Sequence, residues 1–173
     1  MNPQSTSSSS ARVTSLHLHP AEPGAPLTAV DAIDVVAGRG ILGNPRYFDR
    51  QDQSSGQPSR RHVSLIECEQ IAEHAAKLGL EKIHPGAVRA NIETTGVNLI
   101  ALVGQHVEVG EALLYFYEPR TGCKKMDAVC LGLRELSANN RLGVMAEIVR
   151  SGKIRVGDPV QPVAPPARLT DKS

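Results

Sequence analysis

Turn-forming residues interrupt this chain too often for long helices to form. They fall at Pro20 to Pro26, Gly38-Arg39-Gly40, Gly43-Asn44-Pro45, Gly96, Gly104, Gly110, Gly122, Gly143, Gly152 and Gly157. Glycine supplies backbone angles that other residues resist, and proline removes a hydrogen-bond donor, so regular structure ends at such points. Between them lie short apolar runs: Val13–Leu18, Ala29–Val36, Val63–Ile66, Ala90–Glu93, His106–Val109, Ala112–Tyr117, Val144–Val149 and Ile154–Val156. Runs of this length bounded by turns predict strands. Many short strands with close turns predict a β-rich domain, a sheet or a barrel. Gly104 to Glu111 and Gly152 to Asp158 both alternate and both contain Val-Gly followed by an acid. They read as two ribbons turning at the same kind of glycine, the second ending in a closing strand at Val160.

Helical spacing is clear in one place. Over Glu67–Leu78, Cys68, Ile71, Ala72, Ala75 and Leu78 fall on one helical face, and Gly79 supplies the stop. Ser64 and Glu67 have the spacing of a capping box, although Val63–Ile66 also reads as a strand running into that helix. A second helix is expected from about Lys124 to Leu136, with Met126, Val129, Cys130 and Leu133 on one side. Its first turn begins at Cys123. That thiol follows the strand Ala112–Tyr117 and has Arg120, Lys124 and Lys125 as sequence neighbours. Cations and a helix N-terminus both favour the thiolate, the form that binds metals and attacks sulfur.

At 173 residues the chain fits one domain, and it is long enough to bury a sizeable core. The expected division is a disordered tail over residues 1–10, a domain over 11–162 and a flexible tail over 163–173. Only five residues are aromatic, Tyr47, Phe48, Tyr115, Phe116 and Tyr117, so the core must be mostly Val, Ile, Leu and Ala. The formal net charge of +1 gives no sign of nucleic-acid binding. Basic residues bunch at Arg60-Arg61 and from Arg120 to Lys125, as a small anion would require. Three cysteines, Cys68, Cys123 and Cys130, make no disulfide framework and suit a reducing compartment. No stretch has the length of a membrane helix, and the Ser-rich start lacks a secretory apolar segment. The expected location is cytoplasmic.

The common catalytic motifs are missing. Cys123 and Cys130 are seven apart with no second pair to complete a zinc site. There is no Walker loop and no Gly-x-Ser-x-Gly elbow. Gly38-Arg-Gly40-Ile-Leu-Gly43 imitates a dinucleotide fingerprint, but Pro45 blocks the helix that should follow. A Cys-His pair of Cys123 with His62 or His106 stays open on spacing alone.

The order of several pieces resembles the MOSC domain, the family named after the C-terminal part of molybdenum cofactor sulfurases. The pieces are Gly40-Ile-Leu-Gly-Asn-Pro-Arg-Tyr-Phe48, Arg61-His-Val-Ser-Leu-Ile66, Pro85-Gly-Ala-Val-Arg-Ala-Asn-Ile-Glu93, Thr95-Gly-Val-Asn-Leu-Ile100, Val103 to Gly110, Glu118-Pro-Arg-Thr-Gly-Cys123, and Asn140 to Asp158. Two positions depart from the family pattern. Asn44-Pro45 stands where an acid is usual, and Gly122 stands where a proline usually precedes the cysteine. The resemblance implies a MOSC-like β-barrel that binds the molybdenum cofactor, molybdopterin, with Cys123 as metal ligand and catalytic residue. It further implies reduction of N-hydroxylated small-molecule substrates with electrons from a partner protein. Arg61, Arg120 and Lys124 are then candidates for the cofactor phosphate, and Asn91 for a cofactor or substrate contact. The alternatives are a sulfur carrier, with a persulfide on Cys123 loaded by a separate cysteine desulfurase, or a non-catalytic binding domain. Pyridoxal phosphate is not expected in a chain this short. Neither nucleic acid nor membrane is an expected partner.

Overall fold

The computed structural model of the protein describes residues 10–121 and 140–166. Eleven strands and one α-helix follow in chain order: β1 Arg12–Leu18, β2 Thr28–Val30, β3 Ala32–Val36, β4 Gly40–Ile41, β5 Val63–Glu67, α1 Cys68–Lys77, β6 Ile92–Thr95, β7 His106–Val109, β8 Ala112–Pro119, β9 Val144–Arg150, β10 Gly152–Arg155 and β11 Val160–Val163. A 3-10 turn lies at Ile100–Leu102. Eight strands form one sheet in the order β11-β7-β8-β9-β5-β6-β1-β2, and β10, β3 and β4 form a second. The protein is β-rich, as the turn spacing predicts. Among the described residues no helix is long and apolar enough to cross a membrane.

The expected barrel is not closed. One edge of β1 pairs with β6 from Arg12 to Leu16, with an irregularity between Val13 and Ser15, but its other edge is divided. Leu16 to Leu18 pair with β2. The start of β1 instead meets the turn before β11, through Val13 N–H to Asp158 O, Gly157 N–H to Val13 O and Val160 N–H to Ala11 O. Two short partners share an edge that a closed barrel would give to one strand.

Alternation explains the strands. In β8, Ala112, Leu114 and Phe116 are fully buried, while Tyr115 and Tyr117 are partly exposed on the other face. In β9, Val144, Ala146 and Ile148 do the same. These side chains join Leu16, Leu65, Ile92 and Ile154 in one main core, with Phe116 as its only buried aromatic. The aliphatic core expected from composition is what forms.

Several boundaries differ from expectation. The run Ala29–Val36 divides at Asp31 into β2 and β3, which enter different sheets. β6 begins at Ile92, two residues late, because Asn91 turns its amide inward to other strands. The second ribbon, β10, pairs with β3, and β11 closes separately onto β7.

Helix α1 carries the crossover between β5 and β6, which are parallel neighbours and so require one. Its buried face is Ile71, His74 and Ala75. Ala72 is exposed, and His74 takes the expected place by donating from Nε2 to Arg141 O at 2.8 Å. The capping box does not form. Glu67 is the N-cap but makes no side-chain capping bond, its Oε1 accepting Leu99 N–H instead, and Ser64 lies inside β5. A smaller core of Ile66, Ile71, Val88, Ala90 and Leu142 packs beneath α1. The expected helix from Lys124 to Leu136 lies outside the described residues.

Candidate functional site

Asn91 ties three strand ends together. Its Oδ1 accepts the Ser64 N–H at 3.1 Å and the Ser64 hydroxyl at 3.2 Å, both from β5. Its own N–H donates back to Ser64 Oγ. Its Nδ2 donates to His17 O at 3.0 Å, and His17 N–H returns a bond to Asn91 O. Every polar group of this buried residue thus has a partner within the fold. The second Nδ2 hydrogen faces His19 Nδ1 at 3.3 Å.

His19 follows β1 and is 7% exposed. Its backbone N–H donates to Asn44 Oδ1 at 2.6 Å, and its Nδ1 lies 3.3 Å from the same oxygen. Asn44 is fully buried in the turn after β4. Its carbonyl accepts the Tyr47 and Phe48 N–H groups, so it organises that turn. Gly40 (φ 127°) brings the same turn close, because a Cβ there would lie 3.1 Å from Tyr47 O. Tyr47 packs edge-on against the His19 ring at 5.0 Å. Arg46 and Arg50 flank the Tyr47 ring at 5.5 and 5.6 Å.

The electrostatics are one-sided. His19 is pushed down to about 4, first by burial and then by the charges of Arg89, Arg120 and Arg46, with the Asn44 bond opposing. Among the described residues no carboxylate adds to the charges acting on it. Arg120 is held by its N–H to Gly143 O and by its guanidinium to Val88 O and Arg89 O. Arg89 has a left-handed backbone (φ 65°) and donates from Nη1 to Ala25 O. The buried Glu93 carboxylate is spent on Gly86 N–H at 2.7 Å. The Asn44 Nδ2 is buried without a partner among the described residues. Arg46 lies against the Tyr47 ring that packs on His19, and Arg120 donates to the Arg89 carbonyl, so cations surround a neutral imidazole, an arrangement suited to an anion.

Of the residues singled out from sequence, Asn91 and Arg120 meet here. Arg61 does not. It is exposed, and its charge acts on Tyr117, toward the β8 side of β5 rather than the β6 side. Its neighbour Arg60 covers Tyr117 at 4.3 Å and pairs with Glu147. Cys123 and Lys124 lie outside the described residues, as does Cys130. The remaining cysteine, Cys68, is half-buried, with its Sγ 3.0 Å from Thr14 Oγ1 and its thiol raised chiefly by burial.

Sequence reasoning missed His19, Asn44, Arg46 and Arg89 as site residues. Arg89 lies in the same segment as Asn91, and Asn44 and Arg46 lie in the glycine-bounded turn, so their segments were visible. His19 had no local signal, because β-pairing across more than seventy residues brings it to Asn91.

The MOSC domain family matches residues 51–161. No curated protein matches the chain. Among solved structures, the YuaD protein from Bacillus subtilis is 19% identical, with 87% of this chain and 94% of that chain covered and a TM-score of 0.71. YiiM from Geobacillus stearothermophilus is 17% identical, with coverages of 88% and 75% and a TM-score of 0.69. YiiM from Escherichia coli is 18% identical, with coverages of 92% and 72% and a TM-score of 0.62. At these identities the likeness concerns the fold. The family match spans well over half of the 173 residues, and on that ground the chain belongs to the MOSC domain family.

Proposed function

We propose that this protein binds a molybdenum cofactor and reduces N-hydroxylated small molecules, with Cys123 as the metal's protein ligand. What supports this is membership of the MOSC family together with the cations set around buried His19, where Arg46 flanks the Tyr47 ring that packs on the imidazole and Arg120 donates to the Arg89 carbonyl. A phosphate-bearing pterin needs such a corner, and guanidinium groups suit phosphate because they can donate two parallel bonds. Arg46, Arg89 and Arg120 would hold the phosphate. Asn91 positions these groups rather than touching the ligand, since its polar atoms are engaged in the fold. The bound group would supply the redox chemistry. Cys123 follows Arg120 by three residues, so at most about 11 Å of extended chain separates their Cα atoms. A thiolate is the soft donor that such a metal favours.

A cytoplasmic location, a small-molecule substrate and a separate electron-donor protein belong to the same proposal. Protein purified from a host that makes the cofactor should contain molybdenum and pterin in near-equal, near-stoichiometric amounts. Cys123→Ala should abolish metal-dependent reduction of a hydroxylamine or amidoxime. Background metal in the wild-type protein would overturn the assignment. A sulfur atom added to Cys123 after incubation with a cysteine desulfurase, removable by cyanide and unaccompanied by pterin, would transfer it to sulfur carriage.

A further inference from the structure

His19 has a surrounding that determines which ring nitrogen carries its proton. The Asn44 amide cannot be reversed, because its oxygen faces the His19 N–H at 2.6 Å. The Asn91 amide is fixed likewise by the Ser64 N–H on its oxygen. Its Nδ2 therefore points hydrogens at both His17 O and His19 Nδ1. A proton on Nδ1 would oppose one of these buried hydrogens and leave it unpaired. Asn44 Oδ1 has a lone pair left for an Nδ1–H at 3.3 Å, but that bond would be made only by leaving the Asn91 hydrogen without an acceptor. With Nδ1 accepting from Asn91, the hydrogen sits on Nε2. Among the described residues Nε2 has no hydrogen-bond partner, and His19 keeps 7% of its surface exposed. Tyr47 backs the ring, and among the described residues Arg46, Arg89 and Arg120 are the charged groups that act on it.

We infer that His19 is a ligand-contact residue whose Nε2–H donates a hydrogen bond to an anionic oxygen held by Arg46, Arg89 and Arg120, and that Asn91 selects the tautomer that makes this possible. A neutral donor in a cationic corner adds recognition by direction without adding charge. It also keeps that direction across the physiological pH range, because the ring remains unprotonated well below neutrality. The inference rests on the anion-binding part of the proposed function, and it does not need the metal.

The test uses the full chain, uniformly labelled with 15N and free of cofactor, with inorganic pyrophosphate as the probe. Long-range proton–nitrogen correlation spectra distinguish the two neutral tautomers, and His19→Gln assigns the His19 ring by loss of its signals. The expected result is the Nε2–H tautomer from pH 5 to 8, with the Nε2 signal shifting as pyrophosphate is added. His19→Gln should bind pyrophosphate about tenfold more weakly, the loss of one hydrogen bond to a charged group. Asn91→Asp, if folded, should move the proton to Nδ1. An Nδ1–H tautomer in the wild-type protein, or a His19 ring indifferent to pyrophosphate, would overturn the inference. Molybdenum and pterin contents are measured separately, so failure of the cofactor assignment leaves these outcomes readable.

Discussion

At the scale of the residue, Arg89 shows function held at a local cost. A side chain in the left-handed region costs on the order of 1–3 kcal/mol, which glycine avoids. Arg89 also donates to Ala25 O, a bond worth about 1 kcal/mol that a glycine would forfeit. The two effects oppose each other. Arg89→Gly should therefore leave the thermal midpoint within about 5 °C of wild type. It should nevertheless lower pterin retained through purification, because a cation leaves the anion corner. A large fall in midpoint with pterin content unchanged would make Arg89 a structural residue. The two departures from the family pattern also separate at this scale. Asn44 organises its turn through its backbone carbonyl, ties it to His19 through its amide oxygen, and adds no negative charge to the corner. Gly122 lies outside the described residues.

At the scale of the element, the site depends on how closely β9's approach packs on β5. Gly143 has φ 83°, and a Cβ there would collide with the Leu65 carbonyl oxygen and lie 2.8 Å from Ile66 Cα. Its own carbonyl accepts the Arg120 N–H at 2.9 Å, so the same close approach positions a site cation. Gly143→Ala should cost at least about 3 kcal/mol in chemical denaturation, since both backbone strain and a steric clash result. A loss under about 1 kcal/mol would mean that the two segments separate without consequence. The sequence marked Gly143 as a turn but carried no sign of this contact, because the colliding atoms belong to residues almost eighty positions earlier. Helix α1 has the same lesson. Its period was legible, but whether Ala72 or His74 faced inward depended on Arg141 offering its carbonyl to the imidazole.

At the scale of the whole molecule, buried histidines tie stability to pH. His19 takes a proton near 6.5 when unfolded but only at about 4 in the fold. Between those values the unfolded chain binds more protons, so acid favours unfolding and stability rises with pH. His62 is lowered too, chiefly by burial, and acts in the same direction. The His19 contribution is complete above pH 6.5 and gone below about 4, a span on the order of 3 kcal/mol. Denaturation at a series of pH values should show this decline, and His19→Gln should flatten it. An equal slope in that variant would assign the acid sensitivity elsewhere. This term should be independent of Cys123, which lets it be measured on cofactor-free protein.

The β-rich class, the place of α1 and the aliphatic nature of the core were all legible in the amino-acid order. Each follows from alternation, helical period or composition, which short windows of sequence contain. Cys123 and Arg120 could be marked as chemically distinctive for the same reason. That β1 divides one edge between two partners, leaving the sheet open, emerged from the folded chain. Folding alone brought His19, Asn44, Arg89 and Arg120 around one corner while leaving Arg61 beside Tyr117. The cause is that strand pairing and register are chosen by contacts between distant segments, whose energies no local pattern records.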